Sequence, residues 1–80
     1  MNTKITTYEL MNIVDLLQYS FKEVIIKWSD NYTHYTLFVH YKSDKLSIVV
    51  PRYYSNNEDY IIITNKISIV IKQFIDNIKN

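Results

Sequence analysis

The hydrophobic residues of this chain change their spacing twice along the sequence. In the first quarter they recur every three or four positions, which is the period of one buried helix face. From Lys22 to Val50 they recur at every second position, the period of a strand with one buried face. Near the end of the sequence the helical period returns. The spacing therefore predicts a helix, a set of strands and a second helix, in that order.

The first helix has a complete start signal. Thr6 and Glu9 form a T-x-x-E capping box, in which each side chain accepts a hydrogen bond from the main chain of the other residue. Ile5 and Leu10 are spaced to form a hydrophobic staple around the cap. These signals predict a helix over residues 7–20. Its apolar stripe consists of Leu10, Ile13, Val14, Leu17 and Phe21.

Three strands follow and are predicted to form an antiparallel meander. Asp30-Asn31 and Ser43-Asp44 are turn dipeptides, and Pro51 ends the third strand. Two-residue turns at these dipeptides would place all the paired apolar residues on one face, whereas a slip of one residue would scatter them. The predicted pairs are Ile26 with Tyr35, Val24 with Leu37, Tyr41 with Leu46, Val39 with Ile48, and Leu37 with Val50.

The rest of the chain is predicted to contain a polar loop at 52–59, a short fourth strand at 60–64 and a second helix for which Asn65 is the N-cap. The sequence thus predicts one α+β domain over residues 1–80, a two-layer sandwich with the order α-β-β-β-β-α. Both amphipathic helices are expected on the Leu37 face of the antiparallel sheet. The stripe of the second helix consists of Ile67, Val70, Ile71, Phe74, Ile75 and Ile78.

The composition excludes several classes of protein. The 80 residues include no Cys, which excludes disulfides and thiolate metal sites, and no Gly, which phosphate-binding loops require. A net charge of +1 argues against a dedicated duplex-binding protein. Residues 1–8 lack the apolar segment of a signal peptide, and no apolar run approaches the roughly 18 residues of a membrane span. We therefore expect a cytoplasmic protein without membrane contact.

Few residue combinations are suited to catalysis or metal binding. His34 and His40 share a predicted strand and face, but about 20 Å of strand separates them, too far to share a metal ion. The predicted register places Ser47 across from His40, yet no Gly-rich turn supplies an oxyanion hole. We therefore predict no metal site, no cofactor and no enzymatic activity.

The sheet face opposite the predicted helices carries a second apolar group. Ile25, Phe38 and Val49 lie together on it, with Phe38 paired with Val49 in the predicted register and polar residues around them. An exposed apolar patch with a polar rim is typical of a protein interface. The alternative is that one helix covers this face and makes the three residues core. Homodimerisation through this face or an edge strand is a further alternative.

The segment around residues 52–59 offers two sets of candidate contacts. Arg52 places a cation beside two aromatic rings, a combination suited to stacking on the bases of single-stranded nucleic acid, and lysines flank the second turn. Adjacent carboxylates later in the loop suit a basic patch on a protein partner. The candidate protein contacts are Tyr53, Tyr54, Glu58 and Asp59. The candidate nucleic-acid contacts are Arg52, Tyr53, Tyr54, Lys42 and Lys45.

In size and build, a compact chain that is rich in Ile, Asn, Lys and Tyr and presents surface patches in place of a pocket resembles the small phage- and mobile-element-encoded inhibitors of host defence, such as anti-CRISPR proteins. The resemblance covers the whole chain and includes no motif. It implies a non-enzymatic inhibitor that binds a larger protein or ribonucleoprotein complex in the host cytoplasm. Because the chain is nearly neutral, blocking by shape and apolar contact is expected rather than mimicry of DNA. A single-stranded nucleic-acid-binding protein is the alternative.

Overall fold

Two helices and five strands make up the described part of the structure, a computed structural model that describes residues 2–55 and 60–79. The elements are β1 (Asn2–Lys4), α1 (Thr7–Ser20), β2 (Ile25–Asp30), β3 (His34–Tyr41), β4 (Asp44–Pro51), β5 (Tyr53–Ser55) and α2 (Tyr60–Lys79). The fold is α+β, as the sequence predicts.

Helix α1 begins and ends where its sequence signals place it. The Glu9 N–H donates to Thr6 Oγ1 and the Thr6 N–H donates to Glu9 Oε1, both at 3.2 Å, so the predicted capping box is confirmed. Ile5 and Leu10 are both fully buried on the two sides of this cap. The helix ends at Ser20, and the C-cap residue Phe21 donates its N–H to Leu17 O at 2.9 Å.

Strands β2, β3 and β4 form the predicted antiparallel meander, but both predicted registers are wrong. Ile26 lies across from Val39 and not Tyr35, a shift of four residues. Leu37 lies across from Ile48 and not Val50, a shift of two residues. Both shifts are even, so every side chain stays on its predicted face. The other predicted pairs fail with them: Val24 precedes β2, Tyr41 lies across from Asp44, and Val39 across from Leu46.

The registers differ because the turns lie at other residues than the predicted dipeptides. Tyr32 and Thr33 form the first turn, which the Asn31 N–H closes by donating to His34 O at 2.9 Å. Lys42 and Ser43 form the second turn. Lys42 has a φ of 55°, the left-handed region that Gly would occupy at lower cost. Because the chain has no Gly, the residue type that most strongly indicates such turns, the sequence does not show where they lie.

The predicted fourth strand at 60–64 is wrong, because these residues form the first turns of α2. Asn65 accordingly lies inside the helix and is not its N-cap. The buried stripe recurs every fourth residue and passes through the misassigned segment, with Ile63, Ile67, Ile71 and Ile75 all buried. Val70, predicted to be core, lies outside this four-residue stripe and is 41% exposed.

The segment predicted to be a loop contributes a short strand. Strand β5 pairs antiparallel with β1, with Lys4 across from Tyr53 and Asn2 across from Ser55. This two-stranded sheet is separate from the meander. A main-chain hydrogen bond from the Ile5 N–H to Arg52 O, 2.7 Å long, connects the two segments next to the strands.

Both helices pack against the same face of the meander, as predicted. Every second residue of β3 is buried, and these residues share one core with the buried stripes of α1 and α2. Trp28 meets Tyr35 edge to face within that layer, at 6.3 Å between ring centroids. The fully buried centre of the core consists of Ile5, Leu10, Ile13, Leu17, Val24, Tyr35, Leu37, Val39, Val50 and Ile71.

Candidate interaction surface

No element within the described residues covers the face of the meander opposite the helices. Its three apolar residues are Ile25 and Val49, each 61% exposed, and Phe38, which is partly buried. The alternative in which a helix covers this face is therefore excluded for the described residues. We refer to Ile25, Phe38 and Val49 as the apolar diagonal.

The observed register places the apolar diagonal as a continuous line across all three strands. Ile25 lies across from His40, and Val49 lies across from Thr36. Each is thus one diagonal step from Phe38, close enough for large side chains to approach one another. The predicted pairing of Phe38 with Val49 is wrong, because Ser47 lies across from Phe38. The three residues nevertheless remain neighbours, because the even shifts keep them on one face and Ile25 and Val49 each lie one diagonal step from Phe38.

Positive charge surrounds the apolar diagonal. Lys27 lies directly across from Phe38, and the Lys45 Nζ lies 4.9 Å from the centroid of the Phe38 ring. None of the outward-facing residues of β2, β3 and β4 is acidic, because Asp30 and Asp44 alternate onto the other face. A chain with a net charge of only +1 therefore presents one sheet face on which all the charges are positive.

The two histidines predicted to be solvent-facing lie in β3 on this same outward face. His40 lies across from Lys45, so the predicted juxtaposition of Ser47 and His40 is wrong. His34 Nδ1 lies 2.9 Å from Thr33 Oγ1, an ordinary local hydrogen bond. No group of three or more His, Cys, Asp or Glu side chains that could hold a metal ion occurs among the described residues.

The guanidinium of Arg52 is occupied by contacts inside the fold. It stacks on Tyr35, with Cζ 4.7 Å from the ring centroid, and donates from Nη1 to the Tyr35 hydroxyl at 3.3 Å. Its Nη2 forms an ion pair with Asp30 and also donates to Asn31 O. The Arg52 side chain is only 16% exposed. It anchors the end of β4 to the first turn, which leaves little of it for stacking on nucleic-acid bases.

The remaining candidate contacts are dispersed. Tyr53 is 54% exposed and borders an open depression of about 610 Å³ at the end of the sheet that Arg52 occupies. Lys42 lies in the opposite turn, with its Nζ 5.4 Å from the Tyr41 ring centroid. The structure does not gather these residues into one surface. The side chain of Tyr54 and all of Glu58 and Asp59 lie outside the described residues.

A second apolar feature was missed by sequence reasoning. A groove of about 180 Å³ lies between the edge strand β4 and α2. The assignment of residues 60–64 to a strand hid it, since that assignment left Ile63 out of α2. The groove is lined by Ile48, Val49, Ile63, Lys66, Ile67 and Val70.

Comparisons with family models, curated proteins and solved structures find no match for this chain. In the described part of the chain, neither helix is both long and apolar enough to cross a membrane. The function therefore has to be inferred from the surface geometry.

Proposed function

We propose that this protein is a non-enzymatic interaction module that binds a larger protein or ribonucleoprotein complex through the uncovered face of its sheet and inhibits it by blocking a functional surface. One observation carries the proposal: Ile25 and Val49 are each 61% exposed on a sheet face that no described element covers. Apolar patches of this kind on a small soluble domain are typical of interaction sites.

The charges of this face define the chemistry of the partner. Lys27 and Lys45 flank Phe38 from the two neighbouring strands, and no acidic residue of β2, β3 or β4 shares their face. A complementary partner surface therefore has an apolar centre and acidic residues around it. Lys45 covers part of the Phe38 ring in the free protein, so an acidic partner group that draws Lys45 aside exposes more of the anchor.

Energetic estimates indicate that both parts of the surface are needed. Full burial of a large aliphatic or aromatic side chain contributes about 1.5–3 kcal/mol, so three anchors supply at most roughly 5–9 kcal/mol before the costs of association. Micromolar affinity requires about 8 kcal/mol net. The apolar diagonal alone falls short of that value, and the flanking lysines are expected to add to the affinity and to make binding weaken with salt.

The test is a capture experiment with tagged protein in host lysate, with and without nuclease. Ile25→Asp and Val49→Asp each place a carboxylate at one end of the apolar diagonal without altering the core, and both are expected to abolish capture. Leu16→Asp is the matched control, because Leu16 is 46% exposed but lies on α1. The proposal requires one protein partner that survives nuclease, is kept by Leu16→Asp and is lost with both sheet-face variants.

Two results contradict the proposal. If Ile25→Asp and Val49→Asp capture the partner as well as wild type does, the apolar diagonal is not the binding surface. If nuclease removes every captured species, the single-stranded nucleic-acid alternative is favoured, and Tyr53→Ala should then lower affinity for an oligonucleotide in a strongly salt-dependent manner.

A further inference from the structure

The two edges of the meander are treated differently by the rest of the fold. At the β2 edge, a side chain of α1 forms hydrogen bonds to main-chain groups that a neighbouring strand would otherwise bind. Gln18 Oε1 accepts from the Ile26 N–H at 3.0 Å, and Gln18 Nε2 donates to Val24 O at 2.6 Å and to Phe21 O at 3.2 Å. A Gln side chain thus satisfies main-chain groups that would otherwise face outward, a recognised way to close an edge strand.

No described element closes the β4 edge in this way. In an antiparallel ladder, alternate residues direct their N–H and C=O groups to opposite sides of the strand. The two-residue turn at Lys42-Ser43 makes Tyr41 and Asp44 the first hydrogen-bonded pair. Lys45, Ser47 and Val49 therefore direct their main-chain groups away from β3, along an edge that no strand within the described residues occupies.

The apolar groove lies directly beside this open edge. Ile48 and Val49 of β4 form one wall, and Ile63, Ile67 and Val70 of α2 form the other. An added strand at the edge would direct every second side chain into the groove. Edge and groove together are the two components of recognition by strand addition, in which main-chain bonds supply affinity and a pocket selects side chains.

We propose that the occupant of this edge is β4 of a second copy of the chain, paired antiparallel about a two-fold axis at Ser47. In this register Lys45 lies across from Val49 of the second copy, and Ser47 lies across from its counterpart. The three residues whose main-chain groups point away from β3 then pair with the same three residues of the second copy, which allows six new main-chain hydrogen bonds. The two three-stranded meanders become one six-stranded sheet.

Charge and donor placement select this register over its neighbours. An axis at Lys45 would place two lysines opposite each other, which is destabilising. An axis at Val49 would pair Ser47 with Pro51, which has no N–H to donate. With the axis at Ser47, no two like charges of β4 lie opposite each other, and Leu46 of each strand lies across from Ile48 of the other.

The mass of the protein in solution gives the first test. Light scattering over a wide concentration range should show twice the 9.7 kDa of one chain at high concentration. Ser47→Pro removes an N–H that points away from β3 and breaks no hydrogen bond within the three-stranded sheet. The variant should therefore have the mass of a monomer and an unchanged circular dichroism spectrum.

Cysteine cross-linking gives a second test that does not depend on Ser47→Pro folding. The chain has no Cys, so Ser47→Cys introduces a single thiol on the proposed axis. It should form a disulfide-linked dimer about tenfold or more faster than Ser29→Cys, because pairing raises the effective thiol concentration. Ser29 is the matched control, an exposed serine on the same face of the other edge strand.

A monomeric mass at every concentration, together with equal cross-linking rates for Ser47→Cys and Ser29→Cys, would overturn the dimer. That result would leave the proposed binding function intact, since neither experiment uses the partner.

Discussion

The two sets of side chains along β3 show how differently the fold treats the two faces of one sheet. The inward-facing residues Tyr35, Leu37 and Val39 are fully buried, and Tyr41 is 5% exposed. The outward-facing residues that alternate with them are only partly buried. Yet the outward face also contains apolar side chains, on β3 itself and on both neighbouring strands.

This difference teaches that apolar character in a strand does not by itself identify core. Both helices place their stripes on the Leu37 face, and the apolar diagonal is left to solvent. Burial of Leu37 is part of folding, whereas burial of Ile25 requires something outside the described fold. The same physical force stabilises the molecule on one face and is available for binding on the other.

The largest expected effect compares one residue from each face. Leu37→Ala should lower the free energy of unfolding by about 3–4 kcal/mol, because it removes fully buried methyl groups and leaves a cavity. Ile25→Ala should change it by less than about 0.5 kcal/mol, because Ile25 is already mostly in water. Urea unfolding monitored by circular dichroism measures both. Equal losses for the two variants would mean that the outward face is also core.

A smaller effect concerns how α1 is held against the covered face. Gln18→Ala should cost about 1–2 kcal/mol, because it leaves the Ile26 N–H and the Val24 carbonyl without their partner in a partly buried position. The Ile26 amide should also exchange its hydrogen faster, which nuclear magnetic resonance can follow. Asn12→Ala, an exposed position on the same helix, is the control. If the two variants lose equal stability, Gln18 does not close this edge.

The smallest expected effect is a gain of stability in the turn that precedes β4. Lys42→Gly should stabilise the protein by about 0.5–1 kcal/mol, because Gly adopts the positive φ of this position without the steric cost that Lys has. Ser43→Gly should be neutral or slightly destabilising, because Ser43 is not at positive φ. A higher urea midpoint for Lys42→Gly, with no increase for Ser43→Gly, would support this turn and hence the β3–β4 register. A loss of stability in Lys42→Gly would contradict it.

The elements that the sequence predicts correctly are those whose signals are local. Helix α1 has its cap, staple and stripe within 17 residues of one another, and the structure reproduces its bounds. The faces of the strands are also correct, because the burial pattern fixes parity. The predicted pairing registers are wrong by four residues for β2–β3 and by two residues for β3–β4. The burial pattern cannot detect such errors, because an even shift leaves every side chain on the same face, and no Gly in the sequence indicates where the turns lie.

The failures arise where one local pattern allows two structures. The apolar run at 60–64 suits a strand or the start of a helix, and only the stripe through Ile63 and Ile67 selects the helix. Pairing of β1 with β5 joins segments about 50 residues apart and leaves no periodic trace. Sequence placed the apolar diagonal on one face but left open whether a helix covered it, because that depends on tertiary packing.

The measurement that most sharply separates core from binding surface is made on Phe38→Asp, with unfolding and partner capture recorded on the same preparation. The proposed function predicts a cooperative urea transition, which shows that the fold persists, together with loss of the partner that wild type and Leu16→Asp both capture. If Phe38→Asp is unfolded, Phe38 is part of the core and the assignment of this face to binding is wrong. If it is folded and still captures the partner, the partner binds elsewhere.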